Sequence, residues 1–306
     1  MKNMKIFDCT TYFNEPMLFE IRLNILDKHV DEFIVAEALY THSGQKKKIN
    51  FNKELYPKFK NRITHILIEN EPKNIISTKL NGQETSNQSI YRLNAAKRIE
   101  FQRNSLARVF DKINYDDWII YSDSDEIPNL TNINFNKINK KILLFKQNMF
   151  YYKFNLSLPK LNWYGSKACQ YKNLITISEL RNIKPKKYGW WRFDTMFKKN
   201  KFINLKVINN GGWHFTEIKT PEEIYIKHSN DEHHDEFDRT GINEDNIKDM
   251  IKNRYIPYDH SIDQKDWEKK WNKDNRIKLS VVSNLELPQY LINNKIKYKD
   301  WFDQNE

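Results

Sequence analysis

The sequence predicts an α/β fold, with a mixed sheet flanked by helices. Three observations carry this reading. Residues 4–9 form a β-rich run, residues 16–28 carry apolar side chains at helical spacing, and Phe33-Ile34-Val35-Ala36 is a compact apolar run. That β-loop-α-β order starts a parallel sheet. Two further apolar runs, Ile63–Ile68 and Trp118-Ile119-Ile120-Tyr121, are separated by a long helical pattern. Beyond about residue 130 the segments become aromatic-rich and strand-like, which makes the sheet mixed rather than doubly wound.

Each element follows from local chemistry. Pro16 suits the first turn of the helix over 16–28, whose face is Leu18, Ile21 and Ile25 with Phe19, Leu23 and Leu26. Residues 38–61 read as a loop around Ser43-Gly44, with a short helix near 53–60. Residues 69–83 are polar loop. A helix from about 88 to 110 has Ile90, Leu93, Ile99, Leu106, Val109 and Phe110 on one side and several arginines on the other. The run 118–121 stops at Ser122-Asp123-Ser124-Asp125-Glu126, and Pro128 prevents its continuation. Strands are expected at 142–145, 149–154, 163–168, 191–197 and 202–208, with a turn at 209–212. Thr220-Pro221-Glu222-Glu223 is a capping box that starts a helix at Pro221, and another helix begins after Asn243. The expected organisation is a main domain over 1–260, with a βαβ half at 1–130 and a mixed half at 131–260. A helical extension over 261–306 packs on it.

Composition narrows the function. Hydrophobic residues are only 39% of the 306, but 18 Phe, 16 Tyr and 8 Trp supply enough area for a packed core. With 7 Gly and neither a GxGxxG nor a Walker A pattern, phosphate here must be held by metal, by Lys or Arg, or by helix N-termini. The net charge of +11 fits an anionic partner, although solvated lysines account for much of it. Cys9 and Cys169 have no metal-type spacing and read as buried, reduced thiols, with a single disulfide as the alternative. No apolar run approaches the ~18–20 residues of a membrane span. The expectation is a soluble, cytoplasmic chain, with peripheral membrane association left open by its charge. The pattern of RRM, KH or helix-turn-helix domains is missing, so no nucleic-acid partner is expected.

Asp123 and Asp125 carry the chemistry. Mg²⁺ and Mn²⁺ favour oxygen ligands, and one or two carboxylates with phosphate and water make such a site. In a continuing strand the two side chains would point to opposite faces, so they converge only if the chain turns at Ser124. The carboxyl end of a parallel strand is also where open α/β sheets bind ligands.

Several separated blocks resemble glycosyltransferase family 17. They are Phe7-Asp8-Cys9 with Tyr12-Phe13-Asn14-Glu15, then Leu18, Glu20, Arg22 and Leu23, and then Val30-Asp31, Phe33 to Glu37 and Ser43-Gly44. Ser122-Asp123-Ser124-Asp125-Glu126-Ile127-Pro128 resembles that family's metal motif. Gly212-Trp213-His214-Phe215-Thr216 resembles its Gly-Trp-His-Phe-Ser signature, with Lys227 and His228 following. The resemblance implies a GT-A-like fold (the nucleotide-diphospho-sugar transferase fold), a UDP-sugar donor, Mn²⁺ or Mg²⁺, and inversion at the anomeric carbon. N-acetylglucosamine from UDP-GlcNAc is the donor it favours, with a glycan as acceptor.

The resemblance assigns roles. Asp125 is the direct metal ligand, Asp123 acts through water or on the ribose, and His214 completes the shell. Asn14, Glu15 and Glu37 lie at strand ends that receive base and ribose, although Asn14 also suits a helix cap. Arg103 reaches the diphosphate or locks Asp123. The general base is sought among Glu217, Asp194 and Glu126, with Glu217 favoured by its closeness to His214. Trp163, Trp190, Trp191 and Trp213 offer stacking surfaces. Two rival readings are a metal-dependent phosphodiesterase or nuclease, and a non-enzymatic basic protein that binds glycan or nucleic acid.

Overall fold

A computed structural model describes residues 4–80, 83–84, 88–185, 204–230, 234–262 and 267–304. Third from one edge of the main sheet lies β1 (Ile6–Tyr12), paired in parallel with β2 (Glu32–Ala38). Outside β2, β3 (Ile63–Ile68) continues the parallel order. On the other side of β1 stands β4 (Trp118–Ser122), again parallel. A short β5 (Glu126–Pro128) follows it, and then β6 (Ile142–Tyr151) and β7 (Leu156–Ser157). The sheet becomes mixed at β8 (Trp163–Gln170), which is antiparallel to both β4 and β6. β9 (Leu205–Ile208) and β10 (Gly212–Thr216) then run parallel to β6. The edge is closed by β11 (Ser280–Val281) on β7.

Both faces of this sheet are covered, and the period of 2 in the strands decides which side chain goes where. Phe33, Val35, Trp118 and Ile120 face the core under α1 (Pro16–Leu26). Their neighbours Ile34, Ala36, Ile119 and Tyr121 face the opposite core, against Leu106 and Phe110 in the 3-10 helix Leu106–Lys112 that follows α2 (Gln88–Ser105). That is why β2 and β4 read as continuous apolar runs. A third core forms around Met149, Tyr151 and Leu156 with Ile224, Ile247 and Met250. The last three belong to the helical half beyond β10.

Two strands expected at 142–145 and 149–154 are one ten-residue strand, β6. The polar break between them stays in the ladder because Gln147 is buried and satisfied: its side chain bonds Ser166 Oγ at 2.9 Å and accepts Ser166 N at 3.2 Å. The helix at Pro221 is present as α4 (Pro221–His228), once the six-residue α3 (Ile177–Asn182) has been counted, and Thr220 and Glu223 form the expected capping box. The helix at 16 also starts at its proline, but Asn14 does not cap it; Glu15 occupies the cap position. The strand expected at 191–197 lies outside the described residues. Residues beyond 260 contribute β11 and also Leu287, Leu291, Tyr298 and Phe302, which pack into the core beneath α1. Both cysteines are buried free thiols. Among the described residues no helix is long and apolar enough to cross a membrane.

Candidate active site

The acidic motif sits on a turn that the rest of the chain enforces. β4 ends at Ser122, and Glu126 N donates to Asp123 O at 3.0 Å, which closes the turn. The chain re-enters the sheet as β5, antiparallel to β10, with His214 opposite Glu126. Phe215 N then donates to Asp125 O at 2.8 Å. Two motifs far apart in sequence therefore become one structure. Gly212 makes the close approach possible: its φ is +129°, and a Cβ there would collide with the Ile127 carbonyl.

Arg22 holds the turn from below. Its Nε and one terminal nitrogen donate to the two oxygens of Asp8, both at 2.6 Å, and both side chains are fully buried. The other terminal nitrogen donates to Glu126 O at 2.6 Å. One fork thus ties β1 and α1 to the backbone of the acidic turn.

Above the turn opens a cavity of about 380 Å³, lined by Asp123, Asp125, Glu126, His214, Glu15 and Arg103 among others. This is the size range of small-molecule sites. Asp123 is the most heavily bonded group in it. Tyr121 Oη donates at 2.7 Å, Arg103 at 3.1 Å, and Arg181 at 2.7 and 3.0 Å. Burial alone would raise its pKa, but the two guanidiniums outweigh burial and hold it well below the usual carboxylate range. Asp125 is arranged differently. Its Oδ1 is 3.4 Å from His214 Nε2, and its Oδ2 is 3.4 Å from Lys227 Nζ. Here too burial opposes ionisation and the cationic neighbours win, so its pKa is lowered, while that of His214 is raised against burial by Asp125.

Glu126 is buried, and its oxygens accept Trp163 Nε1 at 2.7 Å, Arg181 at 2.9 Å and Asp123 N at 3.1 Å. These bonds make it a brace for the turn. Arg181 was not singled out in the sequence. It lies on α3, which Thr176 caps and which Asn104 of α2 anchors by accepting Ser178 N at 3.0 Å. A lone arginine on so short a helix has no periodic or motif signal that would mark it.

Behind Arg181 lies Lys167, 4% exposed on β8, with its ammonium donating to the Arg181 carbonyl. Burial first, and the Arg181 charge second, pull its pKa well below the ordinary 10.5. The unfolded chain therefore binds more protons here than the native one, and stability rises with pH between the depressed value and 10.5. Lys167→Met is expected to flatten that rise and to increase stability at neutral pH. Denaturant unfolding of both proteins at pH 7 and pH 10 measures it; an unchanged slope would remove Lys167 as its source.

The remaining sequence candidates divide. Glu15 lines the cavity and accepts Phe13 N and Asn14 N, at 3.1 and 3.0 Å. Tyr12, Phe13, Lys47 and Gln102 line the same end. Glu37 is fully buried one residue before the end of β2, beneath the 47–51 loop. It accepts Lys47 Nζ at 2.5 Å, Asn50 N at 2.7 Å and Phe51 N at 3.1 Å, so its oxygens anchor that loop instead of facing the cavity. Asn14 is exposed outside the cavity, and its carbonyl accepts Lys219 Nζ at 2.8 Å. Glu217 lines a separate, smaller cavity, where His228 Nε2 is 2.9 Å away. Asp194, Trp190 and Trp191 lie outside the described residues. Trp163 stacks near His214, with ring centres 5.0 Å apart. Trp213 turns away, donating to Glu286 O at 2.7 Å.

A divalent cation fits Asp125 and His214 better than Asp123. Two ligands each about 2.1 Å from one cation and at right angles to each other stand about 3 Å apart, close to the His214–Asp125 separation. One oxygen and one nitrogen donor suit Mn²⁺, with phosphate and water filling the other positions. Among the described residues no group of three or more His, Cys, Asp and Glu side chains is placed to hold a metal. Asp123 is engaged by Tyr121, Arg103 and Arg181, which leaves it poorly placed for direct ligation.

Comparison with known proteins agrees with the early part of this site. No curated protein sequence matches the chain. Among solved structures, HddC from Yersinia pseudotuberculosis is similar with a TM-score of 0.32 and 9% identity, over 67% of this chain and 90% of that one. The inositol-1-phosphate CTP transferase from T. maritima is similar with a TM-score of 0.28 and 9% identity, over 67% and 85%. Both likenesses are too distant to carry an argument. The family profile described as Glycosyltransferase family 17 matches residues 1–185, which includes β1, Arg22, the acidic turn and Arg181. The structure binds Arg22 to that turn and Arg181 to its carboxylates, and the matched region covers more than half of the chain; it belongs to glycosyltransferase family 17, a family of N-acetylglucosaminyltransferases.

Proposed function

We propose that the protein transfers N-acetylglucosamine from UDP-GlcNAc to a glycan hydroxyl, with inversion and with help from a divalent cation. One observation carries this reading. The turn presents Asp125 beside His214 in the cavity that also receives Arg103 and Arg181, so an acid–imidazole pair of a kind that can ligate a cation and two guanidiniums share one chamber. A nucleoside diphosphate leaving group needs that combination of charges. Asp125 and His214 would hold the cation, which would supply Lewis-acid stabilisation of the leaving diphosphate. Arg103 and Arg181 line up with Asp123 and stand ready to share their donors with phosphate oxygens. Tyr12, Phe13 and Glu15, at the end of β1, are suited to the base and ribose. Glu126 braces the turn, since its oxygens are committed to Arg181, Trp163 and the Asp123 amide. That leaves Glu217 and Asp194 for the general base, which must take the acceptor proton as the C1–O bond forms.

The test is hydrolysis and transfer across a panel of nucleotide sugars, with and without Mn²⁺. UDP-GlcNAc turnover that requires the cation is the expected result. Turnover confined to GDP- or CMP-sugars would overturn the donor assignment, and full activity in excess chelator would overturn the cation.

A further inference from the structure

Lys227 lies on α4 and lines the main cavity. Its ammonium is 3.4 Å from Asp125 Oδ2, while Asp125 Oδ1 is 3.4 Å from His214 Nε2. Each oxygen of this carboxylate thus faces a nitrogen, and one of those nitrogens is the lysine ammonium. The Lys227 side chain is 24% exposed and that of Asp125 15%, so the contact sits at the cavity wall and not in sealed core. A divalent cation on Asp125 would stand within a few ångströms of the ammonium. Repulsion at that range weakens cation binding roughly tenfold or more even with water-like screening. A lysine is a point charge on a flexible stem, which lets it leave one anion for another. The anion that arrives with the donor is a diphosphate, in the cavity that Lys227 already lines.

We propose that Lys227 is an exchangeable counter-ion of Asp125, which makes cation binding conditional on a nucleoside diphosphate. Without nucleotide, the ammonium neutralises the carboxylate and keeps the cation site weak. When the diphosphate enters, the ammonium swings to its oxygens and Asp125 is released to the cation. Binding of the two is then cooperative, and the coupling is reciprocal. The inference rests on the cation reading given above for Asp125 and His214.

The experiment is direct titration of Mn²⁺, read as free Mn²⁺ by electron paramagnetic resonance, in the presence and absence of UDP. It uses the wild type, Lys227→Met, Lys227→Gln and Asp125→Asn, each checked for a native thermal melt. In the wild type, UDP is expected to tighten Mn²⁺ binding by tenfold or more. Both Lys227 variants are expected to bind Mn²⁺ alone roughly tenfold more tightly than the wild type, with a smaller gain from UDP. Unchanged or weaker Mn²⁺ binding in both Lys227 variants, alongside loss in Asp125→Asn, overturns the exchange and leaves the cation site standing. Mn²⁺ binding that survives in Asp125→Asn, or that is missing from every protein with UDP present, overturns the cation reading and the exchange with it.

Discussion

An Asp125→Asn protein is expected to fold and to lose sugar transfer by about a thousandfold. Asn keeps the shape of the side chain and removes the charge that holds a cation beside His214. The backbone of the turn survives, because Phe215 N bonds the main-chain carbonyl of residue 125 and not its side chain. Steady-state transfer in saturating Mn²⁺ measures the loss, and a thermal melt separates it from unfolding. Acid behaviour gives a second readout. Burial raises the Asp125 pKa, but His214 and Lys227 overcompensate and lower it. Its contribution to stability is therefore present above the ordinary 3.8 and is lost as pH falls through the lower native value. The wild type is expected to lose more stability than the variant on acidification through that window. A variant that retains more than a tenth of wild-type transfer would remove Asp125 from the leaving-group machinery.

Replacing Arg22 with Met should be the most destabilising single change near the site. Arg22 and Asp8 are both 0% exposed and share two bonds of 2.6 Å. Removing one partner of such a pair leaves an uncompensated buried charge, at a cost of about 3–5 kcal/mol. The midpoint of thermal unfolding should then fall by roughly 10 °C. The turn also loses its donor to the Glu126 carbonyl, so activity should fall in the molecules that still fold. Pairing the change with Asp8→Asn removes the stranded carboxylate and is expected to restore much of the stability but not the activity. Equal loss in the single and the double variant, by denaturant unfolding, would place the cost in packing and not in charge.

The strands at 33–36 and 118–121 were legible because both of their faces are buried, which leaves apolar runs without alternation, whereas the edge strand at 63–68 is only partly buried. The helix at Pro221 was legible because its capping box is a four-residue signal. Asp123 and Asp125 could be placed on a ligand-binding edge because they follow β4 directly. Glu37 shows the opposite case. A glutamate near a strand end suggests a ligand contact, yet its oxygens close on the amides of Asn50 and Phe51 and on Lys47. Nothing within β2 announces that the 47–51 loop folds back over it.

By itself, the sequence determined the α/β order, the acidic motif at the end of a buried strand, and the family to which its spaced motifs belong. Those features depend on residues close together in the chain: periodicity, caps and turn residues act over a few positions. Tertiary structure alone decided that Arg181 joins Arg103 on Asp123, that Glu126 is a brace, and that Asp125 stands between His214 and Lys227. These pairings depend on the register of β5 against β10 and on the docking of α3 and α4. A shift of one residue in that register would turn His214 to the other face of the sheet, so no local pattern could have fixed them.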